Sequence, residues 1–169
     1  VRAAGIVLVV VVSVALQTTL NRFIVRENFA VDLVMVAVVY VALTAGPVAG
    51  MMAGTIGGLI QDSLSSGIIG IGGLAKTIVG FLAGVLGTQF IVANSLPRFV
   101  VFLAATVVHA TVFMGLYVVL DLRHFGAPYA QVGGQALGNA FVGVIAFQIV
   151  ELLPGAVERR RAQRGRLRR

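Results

Sequence analysis

Residues 31–64 read VDLVMVAVVYVALTAGPVAGMMAGTIGGLIQDSL. No charged residue occurs between Asp32 and Asp62. A helix on a water-facing surface carries polar residues at its own period, and this stretch carries no such stripe. Its solvent is therefore lipid. Asp32 is a good N-cap and suits the positive end of a helix dipole, so a helix is predicted over residues 31–45. Gly46 suits the position after a helix C-terminus and Pro47 the first turn of the next helix, which is predicted over residues 47–64. Both helices are short for a hydrocarbon core of about 30 Å. Tilt, or partial burial inside a bundle, is expected of them.

The same pattern continues on both sides. Apolar runs predict helices over residues 3–20, 73–92, 97–120 and 131–153, which brings the total to about six. Polar or glycine-rich segments separate them, and Pro154-Gly155 is expected to stop the last. The run over 3–20 is longer than the apolar core of a cleaved signal and is read as a first spanning helix. Of the 169 residues, 59% are hydrophobic and 11% charged, against about 25% charged in a soluble domain. The chain lacks the polar surface a soluble enzyme needs. The fold class is all-α, a polytopic membrane bundle over residues 1–154 with a basic tail over 155–169. The absence of cysteine excludes disulfides, thiol catalysis and cysteine-based metal centres.

The net charge of +7 is local. Arg159, Arg160, Arg161, Arg164, Arg166, Arg168 and Arg169 crowd the last fifteen residues against the single acid Glu158. Positive loops stay on the cytoplasmic side, so the tail is expected inside, and with six spans the N-terminus too. Arg2 and Arg98 then also face inward, and Arg22, Arg26 and Arg123 outward. The tail is expected to contact anionic lipid or a cytoplasmic protein and not nucleic acid.

Three features are candidates for function. Gly46, Gly50, Gly54 and Gly58 recur every four residues, and Gly80 and Gly84 repeat the pattern on a smaller scale. Such faces let helix backbones approach closely. They serve either packing within the chain or the docking of a partner's helix. Asp62 and Lys76 lie near one membrane face, and a charge at mid-bilayer costs about 2.5–3.5 kcal/mol. They are expected to pair across the glycine-rich turn, with snorkelling of Lys76 and interfacial placement of Asp62 as further structural options and ligand or ion binding as the functional one. His109 and Asn139, with Gln135 and Gln148, are expected to hydrogen bond between helices or line a small polar cavity. No nucleophile–base pair, phosphate loop or metal box is present, so no catalytic, cofactor or metal site is assigned.

The segments DLVMVAVVYVAL, TAGPVAGMMAGTIGGLIQDSLSS and GIGGLAKTIVGFLAG, within residues 32–89, resemble MreD, the small membrane subunit of the bacterial rod-shape elongation machinery. The order is an acid before an apolar helix, a Gly-Pro break, a small-residue helix ending in Asp-Ser, and a Gly-rich turn. The resemblance implies a non-enzymatic scaffold or regulator in the bacterial inner membrane. Its implied partners are MreC and, through it, the glycosyltransferase RodA and a class B penicillin-binding protein, with a cytoplasmic link to MreB. It also implies a fold similar to the six-helix substrate-binding subunits of energy-coupling-factor transporters. A vitamin-binding subunit of that kind is the alternative, although the tryptophans that often cap such pockets are missing.

Overall fold

The computed structural model describes residues 3–23, 31–65, 67–89, 94–122, 125–126 and 128–166. Arg2, Arg26, Arg123, Arg168 and Arg169 lie outside the described residues. Among the described residues there are six helices: α1 (Ala3–Phe23), α2 (Leu33–Ala45), α3 (Pro47–Leu64), α4 (Ile71–Gln89), α5 (Ser95–Val119) and α6 (Tyr129–Arg166). No strand occurs among the described residues. Among the described residues, three helical stretches, Ile71–Gln89, Ser95–Val119 and Tyr129–Leu152, are long and apolar enough to cross a membrane, and Ala4–Leu20 and Leu33–Ala45 are shorter apolar ones.

Helix α2 occupies the centre and packs on each of the other five. Val34, Val38, Val39 and Ala42 have no exposed surface at all, which explains why the helix is apolar all round. It has 13 residues, about 20 Å at 1.5 Å per residue. That is too short to cross a bilayer alone. Asp32 starts the helix inside the bundle, its carboxylate accepting from Met35 N at 2.9 Å. Gly46 ends it with φ +90, a backbone that side chains other than glycine rarely adopt. Gly46 thus serves the Gly-Pro break, and its backbone also lies against α4, where a Cβ on Gly84 would come within 2.8 Å of its carbonyl carbon.

The remaining helices surround α2, and consecutive ones run antiparallel. The α3–α4 pair shows why. A Cβ placed on Gly50 would strike the Gly80 carbonyl, one on Gly54 the Lys76 carbonyl, and one on Gly58 would lie 2.5 Å from Gly73 Cα. At the far end, a Cβ on Gly84 would strike Pro47. Each step of four along α3 therefore meets a step of four or three back along α4, backbone against backbone. Dispersion and weak Cα–H contacts hold such a pair. Both glycine faces are consumed within the chain, so neither is free to dock a partner's helix.

The boundaries of α1, α2, α4 and α5 differ from expectation by one to three residues, and the end of α6 by more. Helix α6 does not stop at Pro154-Gly155 but continues to Arg166. A proline inside a helix forfeits one backbone hydrogen bond, and α6 carries that loss. Arg159, Arg160, Arg161, Arg164 and Arg166 thus extend the last helix beyond its apolar segment.

Candidate functional site: a buried polar centre

A helix that starts inside a bundle leaves its first N–H groups without water, and each must find an acceptor. Three side chains do this for α2. Asn139 on α6 accepts from Asp32 N at 2.8 Å. Gln17 on α1 accepts from Leu33 N at 2.7 Å. Asp32 itself takes Met35 N. Asn139 then donates to Thr106 on α5 at 3.1 Å, and Thr106 donates to the Phe102 carbonyl at 2.9 Å. The start of α2 is tied in this way to α1, α5 and α6.

Asp32 also holds the charge that Lys76 needs. Lys76 Nζ lies 2.9 Å from Asp32 Oδ2 and 3.3 Å from His109 Nε2. Lys76 is 3% exposed and Asp32 6%. The expected pairing of Lys76 with Asp62 is therefore incorrect, and so is the snorkelling alternative. The Lys76 side chain extends inward from α4 to the start of α2 and does not reach back to the turn. Burial without a partner would strand the ammonium in an apolar interior, whereas the ion pair satisfies it.

Asp62 has a different task. Its Oδ2 accepts from Gly70 N at 2.9 Å and Gly73 N at 3.0 Å. Gly73 is in the first turn of α4, so a carboxylate at the end of α3 caps the next helix from outside it. The approach is so close that a Cβ on Gly72 would collide with the Asp62 carboxylate. Gly70, at φ +107, turns the chain into position. Asp62 is buried and not exposed at the interface. The glycine-rich turn is thus shaped around this side chain.

Of the expected polar residues, Asp62, Lys76 and His109 border one cavity of about 380 Å³ together with Asp32 and Gln135. Asn139 sits just behind it as an interhelical hydrogen bonder, and Gln148 donates to Ser95 on α5 at 3.2 Å, near the other end of the bundle. That end holds the pair sequence reasoning missed. Arg98 Nη1 donates to Glu151 Oε2 at 2.9 Å and Nη2 to Oε1, and the guanidinium lies 4.2 Å from the centre of the Phe147 ring. The available signal was two opposite charges, each isolated in an apolar run near one end of the bundle. No group of three or more metal-ligating side chains occurs among the described residues.

These observations define a class: a polytopic helical membrane protein whose intramembrane charges are matched within the chain. The model of one family, rod shape-determining protein MreD, matches residues 3–153, which covers all six helices up to the basic end. The chain belongs to the MreD family, and its role lies in rod-shape determination. No curated protein and no solved structure matches the chain; the expected likeness to energy-coupling-factor subunits rests on the family resemblance alone.

Proposed function

We propose that the chain is a membrane scaffold and regulator of the rod-shape elongation complex that binds MreC and, through it, helps control RodA and a class B penicillin-binding protein. The family match carries this reading and favours it over a vitamin-transporter subunit. The architecture supports it. Backbone-to-backbone packing of α3 on α4 and the clamped start of α2 make a rigid body. Its lateral faces present apolar side chains such as Leu8, Met52, Phe81 and Phe141, which suit lipid or another membrane helix. The protein resides in the bacterial inner membrane with both termini cytoplasmic. There the arginines of the last helix meet anionic lipid, and MreB is the cytoplasmic partner. Co-expression with the MreC encoded in the same genome tests the central step. The two proteins should co-elute after affinity and size-exclusion steps. MreC emerging without this chain from an otherwise well-folded preparation would overturn the proposal.

A further inference from the structure

The bundle is built around a helix capped by Asp32, and a cavity of about 380 Å³ borders that start. Asp32 and Lys76 are its buried floor, whereas Ser65 and Gln131 on the wall are exposed and mark the mouth. The mouth lies at the end of the bundle opposite Arg98, Glu151 and the arginine-bearing end of α6. At about 30 Å³ per water molecule, the space equals about a dozen waters and falls in the range of ligand pockets.

The charges of the wall select the occupant. Asp32 and Asp62 bring two carboxylates to the cavity against the one ammonium of Lys76. Both oxygens of Asp32 have partners, Oδ1 in Met35 N and Oδ2 in Lys76. Asp62 uses only Oδ2, which takes the Gly70 and Gly73 N–H groups. Its Oδ1 has no donor and no cation opposite it among the described residues. Oδ1 also keeps accessible surface, since the only sealed side-chain oxygen or nitrogen without a partner among the described residues belongs to Gln61. A carboxylate charge in a wall of low polarity acts on a cation far more strongly than one in water. Phe113 stands on the same wall, its ring flanked by His109 and Tyr117 at centroid distances of 5.9 and 4.9 Å. An aromatic face attracts ammonium groups, quaternary ones included. A bare metal ion of the hard type takes about six oxygen ligands, and no group of three or more ligating side chains occurs among the described residues. The ring and the breadth of the space suit an organic cation instead. We propose that this cavity binds a small organic ammonium ion, with Asp62 Oδ1 facing its charge and Phe113 covering its carbon groups. The proposal does not depend on MreC binding.

The test uses the full chain in dodecyl maltoside micelles, which bring no cation of their own. Saturation-transfer NMR compares choline with its neutral carbon isostere, neohexyl alcohol, and ethanolamine with ethylene glycol. At least one of the two cations is expected to bind, at least tenfold more tightly than its neutral counterpart. Asp62→Asn keeps an oxygen for the Gly70 and Gly73 N–H groups but removes the charge, and should abolish that preference. Phe113→Leu, a second variant that leaves the cap of α4 untouched, should reduce it at least threefold. No binding of either cation at about 50 mM, neutral counterparts that bind as well, or a preference unchanged in either variant would overturn the assignment. Micelles doped with a short-chain phosphatidylethanolamine separate two sources of the same chemistry: displacement of the bound cation assigns a lipid headgroup, and no displacement assigns a free solute.

Discussion

Replacing Lys76 with methionine, Asp32 with asparagine, and both together should expose the energetics of the buried centre. The two groups are 2.9 Å apart and almost wholly buried. Removing one partner of such a pair strands the other, at about 3–5 kcal/mol. Asp32→Asn should sit at the upper end of that range, because Lys76 then keeps its charge without the carboxylate it pairs with. Lys76→Met should sit lower, because a carboxyl can take up a proton. Asparagine still accepts from Met35 N and methionine fills most of the lysine volume, so the double variant removes both charges and keeps the cap. It should fall within about 1.5 kcal/mol of the unmodified chain. The coupling between the sites is then at least about 4.5 kcal/mol, above the about 0.5–3 kcal/mol usual for contacting residues. Reversible unfolding of the purified chain in bicelles by SDS titration measures all four species. Single variants each within about 1 kcal/mol of the parent, combining additively, would refute a buried ion pair.

Other perturbations test separate parts of the structure. Gly54→Leu or Gly58→Leu should prevent folding, because the new side chain meets α4 backbone and no flexible side-chain end can yield; recovery of folded protein in normal yield would contradict the packing. Gly115→Ala is the contrast, since nothing lies within 4 Å of a Cβ there, and a gain of about 0.5–1 kcal/mol in unfolding free energy is expected. Asp62→Ala removes the acceptor of two N–H groups and should cost about 2–3 kcal/mol, with amide exchange at Gly70 and Gly73 accelerating; unchanged exchange would show that the cap is dispensable. Exchanging the charges of Arg98 and Glu151 should restore much of the thermal midpoint lost in either single reversal, because the pair joins α5 to α6; a double variant no better than the singles would separate the two residues.

The bundle was legible because lipid leaves a simple mark, a chain without polar stripes, and because Asp32, Gly46 and Pro47 punctuate it. The N-cap at Asp32, the break at Gly46-Pro47 and the bounds Pro47–Leu64 all follow from local backbone chemistry. The helix-packing glycines were legible too, since i and i+4 share a face. Which acid Lys76 meets was not, because Asp62 is nearer in sequence while Asp32 is nearer in space. Sequence separation decides such a choice only when no other helix intervenes, and here α2 brings an acid from the bundle centre. The roles of Asn139 and Gln17 were hidden for a related reason: they answer N–H groups of a helix end whose burial only the packing shows. Arg98 and Glu151 escaped because each suits an interface residue when viewed alone.

A role of this MreD-family chain in rod-shape determination is tested by depleting the protein in the bacterium that encodes it and following cell width by microscopy. Rods should widen and round up as the protein is lost, and re-expression of the parent sequence should restore them, whereas the Gly54→Leu chain should not. Rods that keep their width through full depletion would contradict it.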